Sequence, residues 1–392
     1  MEGAFASSFA FKAGGAPFPV CAQRPTHKLA VFGRFCGRGN ARVTQLKKIN
    51  AVFEGGGVKG ISLAGAVRAA ETHGYGFHQV AGTSAGSIVA ALIAAGYNAS
   101  EMKLIIDGTP FSAFLKRAPV FNVKLIGPAV RLLLFKGLYS GDALEQWADK
   151  LLAAKGIRTF RDLPQGRLRI IASDITNGKL LVLPDDIADY GIDPGSLGVA
   201  QAIRMSVSIP YFFDPVILRG TPNYNPFKRA KHNGSSMDIY GSYVVDGGLL
   251  SNFPLWLFEE PEANQTAPPV VGFQMVGRPN PKGHRINGPF TMFYAMFETM
   301  LSAHDERYIE KNNRVRTIKI PTLGVRTTDF HLTEEQSEGL YQSGLQAGNE
   351  FFHSFDYRTG ICLPDARHSG STQAPAVRLG FSRTPDSHQK KD

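Results

Sequence analysis

Residues 48–96 read KINAVFEGGGVKGISLAGAVRAAETHGYGFHQVAGTSAGSIVAALIAAG. KINAVFE is a short apolar strand. GGGVKG follows it and opens ISLAGAVRAAETHG, whose small and apolar residues recur at helical spacing until Gly74. HQVA then predicts a second strand, GTSAG a turn, and the small residues beyond it a helix that stops at Gly96. The unit of strand, glycine turn and helix thus occurs twice. Such alternation predicts an α/β fold: a mostly parallel central sheet with helices on both faces, in three α/β/α layers, with functional groups at the carboxyl ends of the strands.

Further along, RLRIIASDI and KLLVLP flank Asn177 and Gly178, a turn pair that predicts a hairpin on the same sheet. SLGVAQAIRMSVSIPYFF predicts a helix running to Pro210, and residues 220–241 a polar loop before the strand YVVDGG. VVGFQMV supplies a late strand and MFYAMFETMLSAHDERYI a helix. LTEEQSEGLYQSGLQAGNEFFHSF is a closing helix with Thr333 and Gln336 set as a capping box. There is no internal repeat and no coiled-coil heptad pattern.

The 392 residues, 43% of them hydrophobic, suit one main domain, expected at 49–363 between two disordered ends. Residues 1–48 hold one acidic residue, Glu2, against Lys12, Arg24, Lys28, Arg34, Arg38, Arg42, Lys47 and Lys48. That bias resembles an organelle transit peptide, without a compact apolar core or a clear amphipathic helix. Residues 364–392 are rich in Ser, Pro, Gly, Arg and His. Lys and Arg outnumber Asp and Glu by 43 to 33, a formal charge of +10 that favours anionic surfaces, though a solvated surface with a basic tail accounts for the same count. Cys21, Cys36 and Cys362 lie toward the ends, which argues against a disulfide framework or a Cys-rich metal site in the core. A reducing, cytoplasmic location is the default, with neither metal nor cofactor. No apolar run approaches the roughly 18–20 residues that span a bilayer, so membrane contact is expected to be peripheral and transient.

Gly82 and Gly86 give a chemical reading to the serine between them. They let the chain turn sharply and let a substrate approach the Ser84 hydroxyl without meeting a Cβ atom, while the next helix points its N-terminus at it. A small-residue turn that merely packs a helix on a sheet is the alternative. In GGGVKG, Gly55, Gly56 and Gly57 leave backbone N–H groups to converge on an oxyanion. Gly55, Gly57 and Gly60 also fit the dinucleotide fingerprint, which needs an acidic residue at the end of the next strand; that strand ends in Gly82, Thr83 and Ser84. Lys59 adds positive charge to an anion site or faces solvent. A serine hydroxyl needs a base, and Asp246 in YVVDGG is the candidate, with Gly247 and Gly248 allowing it to face Ser84 closely. An Asp-Gly turn ending a strand explains it equally.

Taken in order, GGGVKG, GTSAG and VDGG resemble the patatin-like phospholipases, serine acyl hydrolases with a Ser/Asp dyad. The resemblance covers Ile49 to Asn252, and AQAIRMSVSIPYFFDPV is similar to the family's helix and proline turn ahead of the aspartate. It implies Ser84 as nucleophile and Asp246 as base. It also implies Gly55, Gly56 and Gly57 as oxyanion hole with Lys59 at the family's basic position, and a phospholipid or lysophospholipid substrate. By this resemblance the enzyme forms an acyl-enzyme, and water then releases the fatty acid.

Other readings stay open. Between Gly108 and Gly141 large apolar groups interleave with Lys116, Arg117, Lys124, Arg131 and Lys136, which suits a lid or membrane-docking segment, or two ordinary amphipathic helices. The loop with Lys228, Arg229, Lys231 and His232 contacts a headgroup or is a mobile connection. Asp174 lines the site or caps its hairpin. An α/β-hydrolase esterase would need a late histidine, for which His304, His331 and His353 are available. A catalytically silent lipid- or nucleic-acid-binding module is the non-enzymatic rival. No zinc spacing, recognition helix or aromatic-and-basic strand motif points to nucleic acid.

Overall fold

The computed structural model describes residues 46–115, 131–132, 134–219, 241–258, 267–277, 286–288, 291–293, 295–300 and 315–362. Both chain ends expected to be disordered lie almost wholly outside these residues, as do 116–130 of the basic apolar stretch, the loop from Lys228 to His232, and His304.

The two strand–turn–helix units form as expected. β1 (Lys47–Phe53) passes through a 3-10 turn at Gly57–Gly60 into α1 (Ile61–Thr72), and β2 (Tyr75–Thr83) passes directly into α2 (Ala85–Ala94). Then come α3 (Ala99–Gly108), β3 (Gly137–Tyr139), α4 (Asp142–Ala154), β4 (Leu168–Asp174) and β5 (Lys179–Leu183). α5 (Val199–Ser206), β6 (Tyr211–Phe213), β7 (Val216–Leu218), β8 (Ser242–Asp246), β9 (Val270–Val276), β10 (Thr317–Pro321) and α6 (Glu334–Ser354) complete the main elements. β10, β9, β1, β2 and β4 are parallel neighbours in that order, and β5, β7 and β8 join antiparallel. The Asn177–Gly178 hairpin joins β4 to β5 with Asp174 opposite Lys179.

Side-chain alternation along β1 sorts the two faces of the sheet. Ile49, Ala51 and Phe53 enter the large core with α1, α2 and α6, where Phe53 stacks on Phe273 at 4.6 Å between ring centroids. Val52 points the other way, to Ala81, Phe253, Leu255 and Val270, under the 3-10 segment Leu255–Phe258. Three layers result. Each fully buried Phe or Ile contributes about 1.5–3 kcal/mol relative to exposure.

α6 begins at the expected box: Thr333 Oγ1 accepts from Gln336 N at 3.1 Å, and Gln336 Oε1 accepts from Thr333 N at 3.0 Å. It lies on α1 with backbone against backbone. A Cβ on Gly344 would stand 1.8 Å from the Ser62 carbonyl oxygen, and one on Gly65 2.0 Å from that of Tyr341. The helix expected to reach Pro210 stops instead at Ser206. Pro210 keeps Ile209 out of helical conformation, and the released turn places Ser206 and Ser208 against the sheet. Among the described residues no helix is long and apolar enough to cross a membrane.

Candidate active site

β4 explains how residues 84 and 246 meet. Its residues Ile170 and Ile171 pair with β2 on one edge and β5 on the other; Ala172, Ser173 and Asp174 pair with β8 and β5. Since β5 occupies one edge throughout, β2 and β8 share the other, end to end. Thr83 lies opposite Ile171 and Asp246 opposite Ala172, on consecutive rungs. One strand stops where the other arrives, and the junction brings their last residues together.

Ser84 stands in this gap with φ 51° and ψ −125°, a left-handed conformation that costs an L-residue on the order of 1–3 kcal/mol. Tight contacts hold it there. A Cβ on Gly82 would lie 2.3 Å from the Gly86 carbonyl oxygen, and one on Gly86 2.2 Å from that of Phe53, so both flanking positions exclude a side chain. The Ser84 N–H donates to Ser206 Oγ at 2.8 Å, and Ser206 donates in turn to the Ile171 carbonyl at 2.6 Å. Ser84 Oγ donates to Asp246 Oδ2 at 2.7 Å.

Asp246 is buried, its Oδ1 accepts from Gly248 N at 2.8 Å, and its own N–H donates to the Ser208 carbonyl at 2.9 Å. Burial pushes its carboxyl up to about 7, and the bonds from Ser84 and Gly248 only partly offset that rise. Gly247 passes close under β4: a Cβ there would meet the Ile171 oxygen at 2.2 Å. Arg204, buried and bonded to the Ser140 and Asp214 carbonyls and to Ser208 Oγ, fastens the turn that carries both serines. Sequence reasoning missed Ser206 and Ser208. Their alternation in RMSVSIP just ahead of a proline was the available signal.

The glycine loop packs beside Ser84, where a Cβ on Gly55 would stand 3.0 Å from the Ser84 Cβ. Its three amides are not equivalent. Gly55 N donates to the Asn252 carbonyl at 3.2 Å, and Asn252 Nδ2 donates back to the Gly55 carbonyl at 3.2 Å. Gly56 and Gly57 donate to no acceptor among the described residues. Gly57 is left-handed at φ 57°, with the Thr327 carbonyl where its Cβ would be. Lys59 is half-buried, its aliphatic stem over Gly56. Gly60 lets α1 begin against α2, 2.8 Å from the Ala85 Cβ to where its own would be.

The remaining candidates sort themselves. Asp174 caps its hairpin, accepting from Thr176 N at 2.9 Å, Asn177 N at 3.1 Å and the Tyr190 hydroxyl at 2.5 Å. His331 and His353 are exposed, and the bonds to Asp246 come from Ser84 and Gly248. Among the described residues no cluster of His, Cys, Asp or Glu is set to hold a metal ion.

Ser84 opens on an apolar cavity. The cavity follows one face of α2, where Ala85, Ile88, Val89 and Leu92 line it, and Met102, Phe114, Trp147, Phe213 and Phe330 wall it in. From Ser84 to Leu92 that face extends ~12 Å. Among the described residues that line it, Ser84 supplies the one hydroxyl and the other side chains are almost wholly apolar. The space fits an unbranched aliphatic chain better than a polar ligand.

A family model of patatin-like phospholipases matches residues 51–258, more than half of the chain. The chain is similar to the YqhO protein of Bacillus subtilis strain 168, with 42% identity over 310 residues that span 79% of this chain and 99% of that one. It is 25% identical over 220 residues to 463L of Invertebrate iridescent virus 6, a probable lipid hydrolase, covering 52% of this chain and 61% of the viral one. Among solved structures, VipD from Legionella pneumophila aligns with a TM-score of 0.45 and 18% identity, over 79% of this chain and 67% of VipD. With the matched region running from β1 past the strand that carries Asp246, the chain belongs to the patatin-like phospholipase family.

Proposed function

We propose that the protein is a lipid acyl hydrolase that cleaves fatty-acyl esters of phospholipids or lysophospholipids through Ser84 and Asp246. The observation that carries this reading is the 2.7 Å bond from Ser84 Oγ to a buried carboxylate, beside an apolar cavity. Ionised Asp246 accepts the Ser84 proton as Oγ bonds to the ester carbonyl carbon. The carbonyl oxygen becomes an oxyanion, held by the Gly56 and Gly57 amides and by the N-terminus of α2. Collapse breaks the bond to the alcohol oxygen, which departs with the proton that Asp246 held. Water, deprotonated by Asp246, then attacks the acyl-enzyme, releases the fatty acid and restores Ser84. A carboxyl at about 7 suits a base working near neutrality without a histidine.

A fluorophosphonate probe is expected to label the wild type and not Ser84→Ala. Fatty-acid release from phosphatidylcholine and lysophosphatidylcholine should fall by roughly a thousandfold or more in that variant. Undiminished release by Ser84→Ala ends this reading.

Ser206→Ala tests the support beneath the nucleophile. It strips the Ser84 amide of its buried partner, at a cost of about 1–3 kcal/mol, and leaves the turn free to shift. Steady-state kinetics should show kcat lower by about 10- to 100-fold with KM little changed, and Ser206→Thr should recover part of the loss. Equal kcat in wild type and Ser206→Ala rejects the positioning role.

A further inference from the structure

A rim of exposed apolar side chains runs from the β4–β8–β7 edge of the main sheet to the separate two-stranded sheet of β3 and β6. Leu134, Phe135, Ile175, Tyr211 and Ile217 are between 43% and 63% exposed. They are contiguous through the backbone and one cation. Ile217 pairs across the sheet with Tyr243, whose carbonyl accepts from Ile175 N at 3.0 Å. Lys136 Nζ lies 5.0 Å over the Tyr243 ring, and Gly137, next in the chain, pairs with Tyr211. Lys136 and Tyr211 are both left-handed, at φ 63° and 62°, although neither is glycine. Strain of this kind persists only where the surrounding structure enforces it, and both residues are exposed, with the Tyr211 ring edge-on to Phe293 at 4.5 Å between centroids.

The chain ties the patch to the cavity already described: Ile209 and Phe213, two residues to either side of Tyr211, are buried and line it. The exposed cations Lys136 and Arg219 accompany it, and neither has a carboxylate partner among the described residues. Apolar and aromatic groups with interspersed cations match the acyl boundary and the phosphates of a bilayer surface. We propose that this rim docks the protein onto an anionic phospholipid bilayer, presenting the cavity to lipid in place. The proposal rests on the hydrolase reading for its purpose, but binding can be measured without turnover.

The full chain would be sedimented with vesicles of phosphatidylcholine alone and of phosphatidylcholine with phosphatidylglycerol. The wild type should bind the anionic vesicles. Leu134→Ser/Phe135→Ser/Ile217→Ser should bind at least tenfold more weakly and hydrolyse vesicle lipid correspondingly more slowly, with hydrolysis of soluble p-nitrophenyl butyrate unchanged. Lys136→Glu, which leaves the apolar groups intact, should lose about fivefold or more on anionic vesicles only. Failure of the wild type to bind vesicles, or equal binding by all three proteins, overturns the proposal; so does wild-type self-association that the same substitutions abolish without vesicle binding. Vesicle binding that the substitutions abolish, in a protein that hydrolyses neither ester, upholds the docking surface and removes the hydrolase reading instead.

Discussion

Asp246→Asn is expected to lower kcat by roughly a thousandfold or more while raising thermal stability at alkaline pH. Asparagine keeps the shape and can still accept from Gly248 N, but it cannot take the Ser84 proton. The stability gain follows from linkage. Burial raises the wild-type carboxyl from 3.8 to about 7, so the folded state holds a proton that the unfolded chain has released. The protonated group's contribution is fully present below about 3.8 and is lost as pH rises to about 7, at most ~1.4 kcal/mol per pH unit. Wild-type stability should fall through that window relative to Asp246→Asn, and the gap should level off above it. Melting curves from pH 4 to 8.5 for both proteins check this. Wild-type kcat/KM should climb over the same range and flatten above about pH 7, since the proposed mechanism works through the ionised carboxylate. Parallel stability curves together with a flat rate profile remove Asp246 from the role of buried base.

Gly344→Val is the corresponding change in the scaffold. In an exposed helix, replacing glycine by a residue with a Cβ is usually neutral or stabilising, by up to about 1 kcal/mol for alanine. Here the new Cβ would fall 1.8 Å from the Ser62 carbonyl oxygen, in the backbone of α1. Neither helix can absorb this by turning a side chain, so α6 must lift away from α1. The expected loss is about 3 kcal/mol or more, or roughly 6 °C or more in Tm. Gly108→Ala is the control: this glycine, the last residue of α3, is helical as well, has nothing within 4 Å of the added carbon, and should melt like the wild type. Equal Tm for Gly344→Val and the control rules out the backbone contact. Because α1 starts from the glycine loop, activity should fall along with stability.

These two changes mark what a reader of the sequence can and cannot recover. Apolar periodicity and turn chemistry are local, so β1, α1, β2, α2, the Asn177–Gly178 hairpin and the Thr333 cap were legible from residues within a few positions of one another. Asp246 was reached because a strand ending in VDGG has a local signature. Sharing of one β4 edge by β2 and β8 has none, since it depends on where β5 pairs. The Ser206 bond to the Ser84 amide spans 122 positions and comes from a helix that ends early at a proline constraint. Nor did three consecutive glycines show that Asn252 occupies the first amide. The glycines where α1 meets α6 carry no local sign of that contact, because close packing between distant segments leaves no mark in either segment alone.

The cavity along α2 is lined by apolar groups, so in the proposed reaction it would grip methylenes and have no hold on the bond that is cut. A freed fatty acid would keep every methylene that anchored the substrate, and the pocket would retain it nearly as well. Product egress would then compete with each new round of chemistry. A bilayer close at hand, able to dissolve the departing chain, would serve the enzyme as a sink as much as a source.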